Sequence, residues 1–468
     1  MTNDKKQGIK KSRKSLYIDL SFLGTLIFFL FRIPITNIIG NEGNGYFAFS
    51  WELYTVLGLF FGHCFFNTVS EMVRKRVRKN QYNNSRSVLT ASLILGVILS
   101  ILGFLISYLF SDILLSSISM KLSGISFRLL GVLLVFSSLC RIFCGYFEGM
   151  GTKVPTSFSK IIEGIVAGTG ALIFTSILSK YGTKVGTLLY NEQFKPAFGA
   201  TGIAAGCVCG TIFSLVFLFV INLIYQAPLK QLLKRESSAE TESVGKVFKE
   251  MIKMFFITFL EIAFFNIFRI VNMWLYIKAT LLTDAKAKIV QYLGSYHGKV
   301  LVLTGIIVLI ILIFTGRNIR KIHKYYNKNQ LSHCWKYFCD DVKQLLVLSL
   351  PVTIVMAIFA KNIFTFIYKS TGNIEVTMLQ IGSINIVLVT LAIYMYRILR
   401  KFDMKVFLIL IPLIAFVIQT VAMYFIVKIP TIGALSLIIS EMIFWLLIVS
   451  MELLLCVKTL KQGFKSKI

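Results

Sequence analysis

Residues 295–316, SYHGKVLVLTGIIVLIILIFTG, run straight into residues 317–343, RNIRKIHKYYNKNQLSHCWKYFCDDVK. An apolar run that can cross a bilayer, which takes about 20 residues for roughly 30 Å of hydrocarbon, gives way at once to a basic loop. The same alternation fills the chain. Apolar runs lie at roughly 15–39, 46–71, 87–110, 126–148, 155–180, 199–225, 251–277, 295–316, 343–368, 374–398, 405–428 and 432–457. Lysine and arginine cluster at every second connection: the N-terminus, 74–79, 230–253, 317–343, 397–405 and 458–467. Of the 50 Lys and Arg, about 34 fall on that side, about 11 on the other and about five inside runs. The pattern predicts an all-α polytopic membrane protein of about twelve transmembrane helices, with both ends cytoplasmic.

The net charge of +29 is then a topology signal and a contact with anionic membrane lipids. Nucleic acid is excluded as a partner, because no basic soluble domain is present to bind it. Residues 1–14 read as a cytoplasmic basic arm and not a signal peptide, since no small-residue cleavage site follows the first run. The polar stretch 230–250 divides six runs from six. The expected organisation is a lobe over 15–229, a linker over 230–250, a second lobe over 251–460 and a basic tail over 461–468. Phe31-Arg32-Ile33 and Phe268-Arg269-Ile270 fall at one depth in the first run of each half, as a parallel two-fold repeat requires. The eight cysteines lie mostly in or beside apolar runs, where Cys acts as a small hydrophobe. His333, Cys334 and Cys339 match no standard zinc spacing, so no metal site is expected.

Between the fourth and fifth runs stands Gly145-Tyr146-Phe147-Glu148-Gly149-Met150-Gly151-Thr152-Lys153-Val154-Pro155-Thr156-Ser157-Phe158-Ser159, running on to Glu163. It resembles the signature of the polysaccharide transporter and stage V sporulation protein B-like families of the multidrug/oligosaccharidyl-lipid/polysaccharide (MOP) flippase superfamily, relatives of the lipid II flippases. Residues 39–46 (IGNEGNGY), 70–73 (SEMV), 197–206 (AFGATGIAAG) and 349–351 (SLP) resemble further stretches of those families. Physically the signature is architectural: Pro155 suits a helix's first turn, and the glycines allow a tight turn and close helix contact. The resemblance implies a MATE-like fold of two six-helix lobes in a bacterial plasma membrane. It also implies a non-enzymatic, cofactor-free flippase acting as a monomer. Four departures from the family stand out: Glu148 and Lys160 where Gln is usual, Asn272 where an acid is common, Lys361-Asn362 in the ninth run, and twelve runs where the lipid II flippases and sporulation relatives resemble fourteen-span proteins.

Charge inside the membrane points to function. A charged side chain at the bilayer centre costs at least about 2.5–3.5 kcal/mol, so it faces a bundle interior or a wet cavity. Arg32, Arg141 and Arg269 are the candidate substrate ligands, because guanidinium forks fit the phosphate oxygens of a lipid-linked sugar. Arg32 and Arg269 are expected to meet across a central cavity. The competing reading pairs them as structural ion pairs, Arg32 with Glu52 and Arg269 with Glu261. Glu52, Glu261 and Glu441 are candidate coupling groups for H+ or Na+, or ion-pair partners. Asp19, Glu148, Lys160 and Glu452, near run ends, are expected to snorkel to water. His63 and His297 are too isolated to assign, and Pro34, Pro351 and Pro412 are expected to kink their runs. Three functions fit: a lipid-linked oligosaccharide flippase, an ion-coupled multidrug or cation antiporter, and a membrane glycan polymerase or ligase.

Overall fold

A computed structural model describes residues 20–116, 120–234, 242–281, 285–369 and 372–462. Asp19, the arm 1–14, most of the tail 461–468 and the centre of the linker lie outside the described residues.

The first two spans form one helical run. α1 (Leu23–Gly58) passes through a π turn at Leu59–His63 into α2 (Phe65–Val77), so 55 residues follow one another without a loop. Drawn straight at 1.5 Å per residue the run would measure about 80 Å, more than twice a hydrocarbon core. It turns at Gly40, whose φ of +66° and ψ of −169° leave helical space. Glycine reaches that conformation because it has no Cβ. Among the described residues the eleven long apolar helices are therefore twelve crossings, as the sequence predicts, but a single glycine joins the first pair.

The first lobe continues with α3 (Tyr82–Leu109), α4 (Ser111–Ser116), α5 (Ser123–Gly149), α6 (Val154–Leu188) and α7 (Phe194–Lys234). The second comprises α8 (Val244–Thr280), α9 (Lys286–Ser295), a second π turn (Tyr296–Val300), α10 (Leu301–Phe314), α11 (Ile319–Tyr326), α12 (Leu331–Ile358), α13 (Ala360–Tyr368), α14 (Asn373–Gly382), α15 (Ile384–Lys401), α16 (Lys405–Ile426) and α17 (Ser436–Gln462). Spans eight, nine and ten are each assembled from two helical pieces. The three prolines sit inside α1, α12 and α16. In the first span the backbone departs from helix at Gly40 rather than at Pro34, and in the ninth at Phe359 rather than at Pro351.

Small residues set the tightest contacts. Gly202, Gly206 and Gly210 press on Thr175, Ala171 and Ala167, leaving no room for a Cβ between α7 and α6. Gly151, at φ +95°, makes the turn from α5 to α6, and Pro155 occupies the first turn of α6. Outward faces are apolar: on α3, Ile94, Ile98, Ile101 and Leu105 are exposed at helical spacing, as a lipid-facing stripe should be.

The end of the bundle with the α2–α3, α5–α6 and α15–α16 turns is called here the basic end, and the other the far end. At the far end the lobes close on each other. Gly45 of α1 lies against the Val290 carbonyl of α9, and Gly294 of α9 lies against the Asn41 carbonyl, each too close for a side chain. Gln291 donates to Glu42 at 3.0 Å, and Asn41 donates to Glu375. Glu375 also accepts from Ser295 at 2.7 Å and from Lys299 at 2.8 Å. At the basic end the links are salt bridges: Lys405 to Glu71 at 3.1 Å, and Arg76 to Glu242 and Glu250, the latter at 2.8 Å.

Candidate functional site: a charged cavity between the lobes

Between the two lobes lies a cavity of about 690 Å³. Its lining runs from Phe47 and His297 in mid-bundle to Gly24, Lys160 and Cys144 near the basic end. The far-end seal closes it above. Among the described residues seven charged side chains line it: Arg32, Arg141, Lys160 and Arg269 against Glu52, Glu163 and Glu441.

Five of the six residues singled out from sequence meet here. Glu261 does not. It lies 4.0 Å from Arg400, in the half of α8 nearer the basic end, so the expected Arg269–Glu261 pair is not formed. The pair is Arg269–Glu441, at 2.9 Å. Tyr296 donates to the other Glu441 oxygen at 2.6 Å, and Phe268 lies 5.2 Å beneath the guanidinium. Glu441 is 2% exposed on its side chain and Arg269 30%, so the arginine's open edge faces the cavity.

Arg32 does not pair with Glu52 either. Its Nη2 donates to Asn44 Oδ1 at 2.8 Å, and its guanidinium sits 4.7 Å over the Phe47 ring. No carboxylate is within ion-pair distance among the described residues, and Nη1 is buried with no hydrogen-bond partner. The residue is 3% exposed. Glu52 instead lies 3.5 Å from His297 of the other lobe. His297 Nδ1 and both amide atoms of Asn385 are also buried without a protein partner, and both residues line the cavity. The upper cavity thus collects polar atoms, donors and an acceptor, that nothing among the described residues satisfies, an arrangement native structures leave for water or ligand.

The sequence reading missed three features. His63 and His297 looked isolated, yet both line the cavity, each in the π turn of its lobe's second span. A π turn shifts a helix's side chains around its axis and often marks a functional site. Asn385 gave no signal at all. Lys160 lines the cavity near the basic end. Glu452 does not reach water: it is 1% exposed, with Oε2 unpartnered. Glu148 does approach the basic-end turn, 3.8 Å from Lys153. Asn272 donates to Ser440 at 2.9 Å and accepts from Gln419, a neutral network in which the Gln419 carbonyl oxygen is left without a partner. At the basic end, burial and then Lys401 and Arg78 push the His323 imidazole below its usual range. Among the described residues no cluster of three or more His, Cys, Asp or Glu could hold a metal ion.

Solved structures place this arrangement. The chain aligns with an inward-facing MATE family transporter of the MOP superfamily at a TM-score of 0.73 and 14% identity, covering 95% of this chain and 96% of that one. The fold is that of MOP transporters. An outward-facing MATE family transporter aligns at 0.59 with 13% identity, covering 96% and 95%. A MOP superfamily transporter from Pyrococcus furiosus, whose binding pocket is described as reversed in polarity, aligns at 0.62 with 14% identity, covering 95% of each chain. No family model and no curated protein matches the sequence. The chain superposes better on the inward-facing structure than on the outward-facing one.

Proposed function

We propose that this chain is a flippase that moves a lipid-linked, phosphate-bearing glycan, of the undecaprenyl-diphosphate type, across a bacterial plasma membrane by alternating access. The observation that carries the reading is Arg32: a buried guanidinium at the cavity wall with no carboxylate within ion-pair distance among the described residues and one unsatisfied nitrogen. Leaving such a charge uncompensated in a low-dielectric interior is costly, and an anionic ligand relieves the cost. Arg269 presents its open edge to the same space. The neighbours of like fold are transporters, which supports transport rather than glycan polymerisation or ligation. The basic end is read as cytoplasmic from its lysines and arginines, so the headgroup enters there and leaves at the far end. Glu52 with His297 is the candidate coupling pair for H+, because it joins the lobes and must part when they move.

The MATE-like fold also supports a cation antiporter, for which Glu52, Glu163 and Glu441 would be the ligands. The two readings separate on Arg32→Ala. Flippase function loses one charge-assisted contact of about 1.5–3 kcal/mol, and glycan export falls at least tenfold with the protein still in the membrane. Arg32→Lys recovers part of it, as a point charge replaces a fork. Removing Glu52 as well does not recover it, because Glu52 is not the partner of Arg32. Normal export by Arg32→Ala defeats the reading.

A further inference from the structure

We propose that the cavity holds a second anion-binding station, formed by Arg141 and Lys160 on the wall of the first lobe, for a phosphate of the entering substrate. The proposal rests on the phosphate-bearing reading above and adds a site to it.

Two helices build the station. α5 carries Arg141 and α6 carries Lys160. They are joined beside these residues by a Cys144–Ser159 contact at 3.6 Å and by Thr156 donating to the Cys144 carbonyl at 3.3 Å. Arg141 lies three residues before Cys144, on the same helix face, and Lys160 follows Ser159. All four side chains line the cavity. Neither cation makes an ion pair or hydrogen bond among the described residues, whereas Arg269 and Lys299 in the second lobe both do. The nearby Glu163 is occupied as an acceptor from Thr211 at 3.3 Å and is not within ion-pair distance of either. Two free cations against one carboxylate leave this wall positive.

The station is not the Arg32 site. Gly24 of α1 packs directly on the Lys160 carbonyl, which fixes Lys160 at the level of Gly24. Arg32 stands eight residues further along the same helix, about 12 Å deeper at 1.5 Å per residue. A headgroup entering from the basic end therefore meets Arg141 and Lys160 first and Arg32 second. Phosphate is the chemistry both stations share: bidentate donation by the guanidinium at Arg141 to the phosphate oxygens, and a mobile ammonium at Lys160 to follow it.

The test is ligand binding by the full chain in nanodiscs, with farnesyl diphosphate and inorganic pyrophosphate as probes. Wild type should bind farnesyl diphosphate. Arg141→Ala and Lys160→Gln should each weaken it at least tenfold, while Arg141→Lys and Lys160→Arg keep most of it. Lys184→Ala, on the exposed far-end part of α6, should bind as wild type does. Pyrophosphate bound as tightly as the lipid, with the same sensitivity, keeps the station and makes its occupant a soluble anion. Binding lost in Arg32→Ala but unchanged in Arg141→Ala and Lys160→Gln removes the station and leaves the flippase reading standing. No binding of either probe by wild type removes both.

Discussion

Arg32 and Arg269 occupy matching places in the two halves, yet they are held differently. Arg32 rests on an amide and an aromatic ring, and Arg269 on a carboxylate. The difference has a measurable consequence. Glu441→Gln alone strands Arg269, and breaking a pair of this kind by removing one partner costs about 3–5 kcal/mol when fully buried, less here because Arg269 is part-exposed. The single variant should therefore melt lower than wild type. Arg269→Ala with Glu441→Gln should recover most of the thermal stability but not transport. Recovery of both would make the pair purely structural. Depth in a span could be read from sequence for both arginines, because apolar flanks of known length fix it. Partner choice could not, because Glu261 and Glu441 are equally apolar in their surroundings and only packing decides which faces Arg269. Asn385, in α15, was illegible for the same reason, and the two histidines because a π turn leaves no mark in residue type.

At the scale of elements, the far-end seal is made by backbone approaching backbone. The stretch 39–46 connects the first two apolar runs, and of its three glycines only Gly40 leaves helical backbone. Gly45, with Gly294 opposite, removes side chains from a crossing of α1 and α9, as small residues do wherever membrane helices touch closely. Gly294→Leu should hold that crossing apart. In a cysteine-free background, Val290→Cys, buried in the seal at 1% exposure, should be unreactive to an impermeant thiol reagent and become reactive when Gly294→Leu is added. Unchanged reactivity would mean the seal does not depend on that contact. The spans themselves were legible because length and hydropathy dictate them. Their internal breaks at Phe359, Tyr296–Val300 and Leu59–His63 were not, since neighbouring helices rather than local sequence re-satisfy the freed backbone groups.

For the whole molecule, alternating access requires the far-end seal to open while the basic end closes. The far-end link between Glu42 and Gln291, 3.0 Å long, joins the lobes at the surface. Cysteines at these two positions, bridged by a short thiol cross-linker, should stop transport, and cleaving the linker should restore it. Transport through a cross-linked seal would rule out rocking of one lobe against the other. What the lobes carry is the central claim, and it is tested most directly with purified protein in liposomes containing a fluorescent isoprenyl-diphosphate-linked saccharide. Wild type should bring the labelled headgroup to the opposite leaflet, where a membrane-impermeant quencher reaches it, and Arg32→Ala should not. Liposomes that leave the lipid in place, yet exchange an organic cation for H+ or Na+, would contradict the account.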